Sequence, residues 1–356
     1  MAKKVTMARI AEACSTSIGT VDRALKNRGE INPETRRLVL ETAERMGYVA
    51  PAKKKNHLRL AFISPNKPKG FYSCVDMGME KARSELAGSG ITVEHLCFDA
   101  QNPPSQIELL ESLDIQKYNG VAINPLSSAC TEHIDRFSAA GVPVVTFNND
   151  LPNSTRRFYV GIDSAQSARM GADVMATLIG GKGGVAVLGN FVQVMPFFER
   201  FGGFCQVLQQ DYPEINIYSV SDCRLDPELT EKNICNLMEK APDLKGIFCT
   251  GYSSTIDTIR TLKKLGRKDI TVVGYDMGEQ TATQLLDENS PLYCTLEQDM
   301  YTMGYKAVEQ LVKTLRGEET ECPRGDTVYL EGIIHSKEDL AGVQTWLDGY
   351  YKLANG

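Results

Sequence analysis

TMARIAEACSTSIGTVDRALK, Thr6–Lys26, holds two short helical patterns joined by a polar turn. In the first, Met7, Ile10, Ala11 and Cys14 recur at helical spacing and make one apolar face. Thr6 precedes that face and can cap it through its hydroxyl. After Ser15-Thr16-Ser17, a second helix is expected from Ile18 to about Asn27, capped by Ser17. Val21, Ala24 and Leu25 form its inward stripe, which leaves Ile18, Gly19, Asp22 and Arg23 facing outward near its amino end. Alone, such a stretch is more readily a plain helical hairpin than a helix-turn-helix whose second helix presents its amino end to base edges.

The residues that follow favour the second reading. Asn32-Pro33-Glu34 is a helix start, with Asn as cap and Pro at the first helical position. Leu38, Val39, Thr42, Ala43 and Met46 then give the packing face of a third helix, ended by Gly47. Charge agrees: residues 1–57 hold twelve Lys or Arg and six Asp or Glu, about +6, while the whole chain is −6, which leaves about −12 on the remainder. A basic module on an acidic body is the asymmetry expected when only the module meets phosphate. Lys3, Lys4, Arg28, Arg36, Arg37 and Lys53-Lys54-Lys55 are candidate phosphate neighbours, or part of a solvated face.

VTMARIAEAC, TVDRALKNRG and INPETRRLVLETAERMGY together resemble the DNA-binding domain of lactose-repressor-family transcription regulators across roughly the first fifty residues. The resemblance implies contact with double-stranded DNA through Thr6, Ser17, Ile18, Gly19, Thr20, Arg23, Asn27 and Arg28, aided by Lys53, Lys54 and Lys55. PAKKKNH, 51–57, is a short basic linker. The resembled family carries a longer segment there, which forms a hinge helix with a leucine wedge; this chain has no leucine before Leu58. Leucine intercalation is therefore in question, major-groove binding is not.

At 356 residues, 42% hydrophobic and 24% charged, the composition is that of a soluble globular chain of two or three units. No run approaches the roughly 18 apolar residues of a membrane span, and MAKKVTMARI lacks the apolar core of a signal peptide. The expected location is the cytoplasm, with no membrane partner. Ten cysteines are scattered without a C-x-x-C, so they read as small buried hydrophobes. The four histidines are equally dispersed, and neither a metal site nor a cofactor is suggested.

From Leu58 onward, apolar runs alternate with amphipathic helical stretches. LRLAFI (58–63), ITVEHLCF (91–98), GVAINP (120–125), PVVTFN (143–148), GVAVLG (184–189), INIYSV (215–220), GIFCTG (246–251) and ITVVGYD (270–276) read as buried strands. Val75–Leu86, Ile107–Ile115, Ala165–Ile179 and Glu228–Lys240 read as helices between them. The alternation predicts parallel sheets in α/β layers, whose ligands bind beyond the carboxyl ends of the strands. Pro65–Tyr72, Asn124–Leu126, Asn148–Asp150, Asn190–Arg200, Gly251–Tyr252 and Asp276 lie there.

FISP with Phe71-Tyr72, GVAINP, VPVVTFNND, ERFGGF, VVGYD and TLEQD resemble the ribose-binding-protein type of sugar-binding fold, which the same repressor family uses as its effector domain. This implies two lobes joined by three crossings, near Tyr159–Asp163, Gln298 and Val328, closing on a small sugar, polyol or sugar acid. Phe71 and Tyr72 match rings that stack on sugar faces, though ordinary packing would also use them. Arg200 matches an arginine that forks onto hydroxyls or carboxylates. Asp276 ends an apolar strand, where a carboxylate needs hydroxyls, a cation or Arg200 itself. Gln298 matches a hydrogen-bonding position, and Asn124 and Tyr252 complete the expected set. Asn148-Asn149 stand where ribose binders carry an acid then an arginine, and Gly251-Tyr252 replace an Asn-Asp pair. The expected ligand is therefore not ribose.

Other classes fare less well. GGKGG (180–184) follows a helix and precedes a strand, the reverse of a dinucleotide fingerprint, and lacks GK-[ST]. No Ser/His/Asp or paired-carboxylate constellation stands out in the sequence, which argues against an enzyme. A sugar-binding or sensing protein without DNA would fit Leu58 onward but not the basic amino-terminal module. The expected architecture is a small all-α helix-turn-helix domain (1–50), the linker (51–57), and a two-lobed, periplasmic-binding-protein-like type I α/β effector domain with parallel sheets (58–345). Lobe 1 would comprise about 58–161 and 299–328, lobe 2 about 162–298 and 329–345, with 346–356 an unassigned extension. The expected protein is a homodimeric repressor of an operator.

Overall fold

The computed structural model describes residues 5–25, 31–46, 48, 57–66, 71–99, 102, 104–189, 195–318 and 326–355. It divides into two compact units, Met1–Asn56 and His57–Gly356. Asn27, Arg28 and Lys53-Lys54-Lys55 lie outside the described residues.

The amino-terminal unit contains α1 (Met7–Ala13), α2 (Ile18–Leu25) and α3 (Pro33–Arg45). Thr6 caps α1 by accepting from the Arg9 amide, and Asn32 caps α3 by accepting from the Glu34 amide at 2.8 Å. Ile10, Ala11, Val21, Ala24, Val39 and Ala43 fill the core, with Tyr48 packed against it. Leu38 departs from expectation: it is 47% exposed, because Val39, Thr42 and Ala43 already occupy the inward face of α3.

Two six-stranded sheets form the second unit. The first is built from β1 (Leu58–Asn66), β2 (Ile91–Asp99), β3 (Gly120–Ile123), β4 (Val144–Phe147) and β5 (Phe158–Gly161), flanked by α4 (Phe71–Glu85), α5 (Pro104–Ser112) and α6 (Cys130–Ala139). The chain then crosses into α7 (Ser164–Leu178), β6 (Gly183–Gly189), α8 (Met195–Asp211), β7 (Ile215–Asp222), α9 (Pro227–Lys240), β8 (Leu244–Cys249), α10 (Tyr252–Lys264), β9 (Thr271–Tyr275), α11 (Glu279–Leu286) and β10 (Leu292–Glu297). It returns to the first sheet with α12 (Met300–Arg316) and β11 (Thr327–Tyr329), and crosses a third time into β12 (Ile333–Ser336) and α13 (Leu340–Asn355).

The first sheet runs β11-β5-β4-β3-β1-β2 and is wholly parallel; the second runs β12-β10-β9-β8-β6-β7, with only β12 antiparallel. Both faces of the inner strands are covered, which is why they read as continuous apolar runs, while the edge strand β7 leaves Tyr218 and Val220 exposed. In β1, Leu60 and Phe62 enter the cluster shared with α4 and α12, while Ala61 and Ile63 enter the one shared with α5 and α6. In β6, Val185 and Val187 pack toward α7 and α8, and Ala186 and Leu188 toward α9, α10 and α11. Four strands were not singled out from sequence: β5, β10, β11 and β12. Three of them hold only three or four residues, too few for a periodicity.

Candidate functional site: polar side chains at the strand ends

In each lobe the ladder extends one residue past the strand, and that residue carries a polar side chain. The Asn124 amide donates to the Ile63 carbonyl, Asn148 to Val160, Thr250 to Leu188 and Asp276 to Leu296, at 2.7–3.1 Å. Asn148 and Asp276 then leave the sheet with φ of 62° and 68°, the left-handed region that Asn and Asp tolerate better than bulkier residues. The backbone thus fixes four short polar side chains at the carboxyl edges of the two sheets.

Lobe 2 centres on Arg200, 3% exposed at the amino-terminal end of α8. Its Nη1 donates to the Thr250 carbonyl at 2.8 Å. The guanidinium lies 4.0 Å from the Tyr275 ring centre and 5.6 Å from that of Phe197. Gly251 makes room for Phe197, since a Cβ there would stand 2.9 Å from the ring. Asp276 accepts the Tyr252 amide at 3.2 Å on one oxygen and the Gln298 amide at 2.5 Å on the other. Burial pushes the Asp276 carboxyl above its usual range, and nearby Arg200 pulls it partly back. Arg200 makes no ion pair among the described residues, so its influence on Asp276 acts without a direct bridge.

Lobe 1 contributes Asn124, fully buried, whose Oδ1 accepts the Asn149 amide at 2.9 Å. Gln106 braces it by donating to the Asn124 carbonyl at 2.8 Å and accepting the Leu126 amide at 2.9 Å. The Asn148 carbonyl accepts the Tyr159 hydroxyl at 3.0 Å. Phe71 and Tyr72 form the first turn of α4 rather than a loop, and their side chains lie outside the described atoms. The structure therefore gathers Tyr252, Asp276, Gln298 and Arg200 into one group, and Asn124 and Asn149 into another.

Four buried polar atoms among the side chains just described lack a partner among the described residues: Asn124 Nδ2, Arg200 Nε, Thr250 Oγ1 and the Tyr275 hydroxyl. A buried polar atom left unpaired costs about 1–3 kcal/mol, and a ligand rich in hydroxyls carries both the donors and the acceptors that such atoms need. The sequence does not single out Thr250, and it places Phe197 and Glu199 only within the stretch Asn190–Arg200. Thr250 had a usable signal, because it directly follows a strand as Asn124 and Asp276 do. Glu199 had none: its carboxyl is raised by burial and by Asp163, against the pull of Arg200, with Asp150 of lobe 1 adding a smaller like-charge push.

One constellation invisible in the sequence appears in space. Ser64 Oγ lies 3.0 Å from Asp76 and 2.7 Å from His95, with the Cys97 thiol 3.4 Å from the same imidazole nitrogen. Ser64 is fully buried in β1, which closes off nucleophilic attack by its hydroxyl. The group ties β1, β2 and α4 together.

In the amino-terminal unit, Ser17, Ile18, Gly19 and Arg23 are exposed along the start of α2, with Ile18 at 53%. Ser17 Oγ accepts the Thr20 amide at 3.1 Å and lies 2.9 Å from the Thr20 hydroxyl. Arg23 Nε folds back onto the Gly19 carbonyl at 3.3 Å. Among the described residues, no helix is long and apolar enough to cross a membrane.

A family model described as a periplasmic binding protein domain matches residues 60–319. The chain is 26% identical over 271 residues to the ribose import binding protein RbsB of Bacillus subtilis (strain 168), covering 76% of this chain and 85% of that one. It is 23% identical over 345 residues to the HTH-type transcriptional regulator CelR of Thermobifida fusca, covering 90% of this chain and 95% of that one. Ninety per cent of 356 residues exceeds the length of His57–Gly356, so the latter alignment reaches into the amino-terminal unit. The fold is similar to the crystal structure of GanP, a glucose-galactose binding protein from Geobacillus stearothermophilus, with a TM-score of 0.72 at 21% identity, covering 80% of this chain and 98% of that one. The family model spans well more than half of the sequence, and the chain belongs to the periplasmic binding protein domain family.

Proposed function

We propose that this protein is a DNA-binding transcription regulator, a repressor, whose affinity for an operator is switched by a small sugar, polyol or sugar acid held between its lobes. The observation that carries the effector half is the set of unpartnered buried atoms, Asn124 Nδ2, Arg200 Nε and Thr250 Oγ1, at the strand ends. Hydroxyl groups satisfy such atoms, and Arg200 and Asp276 suit a ligand that both donates and accepts. Asn124, Asn148, Asn149, Arg200, Tyr252, Asp276 and Gln298 line it, with Phe71 and Tyr72 as candidate stacking rings. Similarity to sugar-binding proteins supports the class and leaves the particular sugar open.

The DNA half rests on the exposed start of α2 together with the charge of about +6 over residues 1–57. Thr6, Ser17, Ile18, Gly19, Thr20, Arg23, Asn27 and Arg28 are the proposed contacts, with Lys53–Lys55 near phosphates. A homodimer in the cytoplasm would present two such units to half-sites related by a two-fold axis. The alignment with CelR, entering Met1–Asn56, supports this reading. Similarity to RbsB favours a second one, a sugar-binding protein that acts without DNA.

Selection of binding sites from random duplex DNA separates them. A regulator enriches a two-fold symmetric sequence, and its log affinity falls linearly with log salt by roughly one unit for each phosphate contact. Failure to enrich any sequence, with sugar binding intact, selects the second reading.

A further inference from the structure

α13 takes no part in either proposed site, yet its side chains are divided between the lobes. Val343 and Leu347 are buried in the lobe 2 cluster with Met277, Ala282 and Leu285. Tyr350, one turn further on, is buried in the lobe 1 cluster with Val75 and Met79, and its hydroxyl lies 3.3 Å from that of Ser73 on α4. Trp346 packs against both clusters and stacks on Tyr350, with ring centres 5.5 Å apart and planes 8° from parallel. Its indole N–H donates to Glu297 Oε1 at 3.2 Å. Glu297 ends β10 directly before the second crossing, and its other oxygen is held by His335 on β12, just after the third. Tyr351 donates to Glu279, at the start of α11, at 2.7 Å.

A helix is stiff over one turn, so the anchors at Val343 and Leu347 and the anchor at Tyr350 cannot all persist if one lobe rotates against the other. Hinge motions ordinarily need only a few crossing residues to absorb the change in backbone angle. Here a packed helix spans the same joint. We propose that α13 is a strap across the hinge, which fixes the resting angle between the lobes and must release Tyr350 from lobe 1 whenever that angle changes. The strap also sets ligand affinity, because apparent affinity scales with the population of the binding-competent angle. The inference rests on the lobes and their crossings, and holds whether or not the ligand is a sugar or the protein binds DNA.

Trp346 is the single tryptophan of the chain, so intrinsic fluorescence of the full-length protein reports the joint without a label. Tyr350→Ala removes the lobe 1 anchor and keeps the lobe 2 anchors; Tyr350→Phe keeps the ring and loses the hydroxyl. In Tyr350→Ala, Trp346 emission should move to the red and acrylamide quenching should rise. The ligand-free scattering profile should broaden, and amide exchange at crossing residues 162–163 should quicken about tenfold, as expected when a local opening becomes easier. Tyr350→Phe should fall between this variant and the wild type. A change of emission with unchanged scattering and unchanged exchange at 162–163 would overturn the proposal, since α13 would then be only a piece of lobe 2. If Tyr350→Ala fails to fold, Tyr350→Phe and Ser73→Ala decide: both should speed exchange at the crossing, and wild-type rates in both would overturn it.

Discussion

At the scale of single residues, Asp276 is the most informative side chain. Its folded-state carboxyl titrates above the ordinary range near 4, chiefly because burial disfavours the charged form. The native state therefore holds this proton more tightly than the unfolded chain. Its contribution to stability is most favourable below the ordinary value and is lost as pH rises through the raised one. The melting temperature of wild type relative to Asp276→Ala should fall as pH is raised from about 4 toward neutrality. A difference that is flat, or that grows with pH, would show that hydrogen bonds from Tyr252 and Gln298 outweigh desolvation. Asp276, Arg200 and Gln298 were legible in the sequence because each belongs to a short quoted motif. Phe197 was not, because its place depends on an absent side chain at Gly251, some fifty residues away.

Elements differ in how much of them the sequence carries. Strands buried on both faces were visible as apolar runs, and Asn32-Pro33 marked the start of α3. The contact between α4 and α12 was not visible, since its partners are over two hundred residues apart. There a Cβ at Gly78 would lie 1.9 Å from the Tyr301 carbonyl oxygen, and one at Gly304 2.0 Å from that of Val75. Gly304→Ala should lower stability by about 1–3 kcal/mol or more, the usual range for overpacking. Gly202→Ala, on α8 with no atom within 4 Å of the added methyl, should be neutral or stabilising by up to about 1 kcal/mol. Denaturant midpoints compare the two, and equal effects would mean that α4 and α12 can slide apart freely. On α2, Arg23 can fork onto a guanine, a contact worth roughly 1–3 kcal/mol of discrimination. Arg23→Ala should relax preference at one base pair per half-site in a binding-site selection. A uniform loss across all sequences would make Arg23 a phosphate contact instead.

For the whole molecule, the sequence carried the alternation that makes two parallel sheets and the approximate places where the chain crosses between them. It did not carry the role of residues 346–355. Their apolar face is legible as helical spacing, but a spacing does not say that Leu347 and Tyr350 serve different lobes. A ligand shifts an equilibrium only by its difference in affinity for the two states, and coupling between sites is usually about 1–3 kcal/mol. On the proposed function, a sugar-like ligand held between the lobes changes affinity for DNA. The most direct measurement is fluorescence anisotropy of the full-length protein on its selected duplex, at fixed salt, titrated with a panel of hexoses, polyols and sugar acids. One panel member should change the DNA dissociation constant by about 5- to 150-fold. Arg200→Ala and Asp276→Ala should each lose that response while keeping the ligand-free DNA affinity. A wild-type protein whose DNA affinity is the same with and without a sugar that demonstrably binds it would contradict the account.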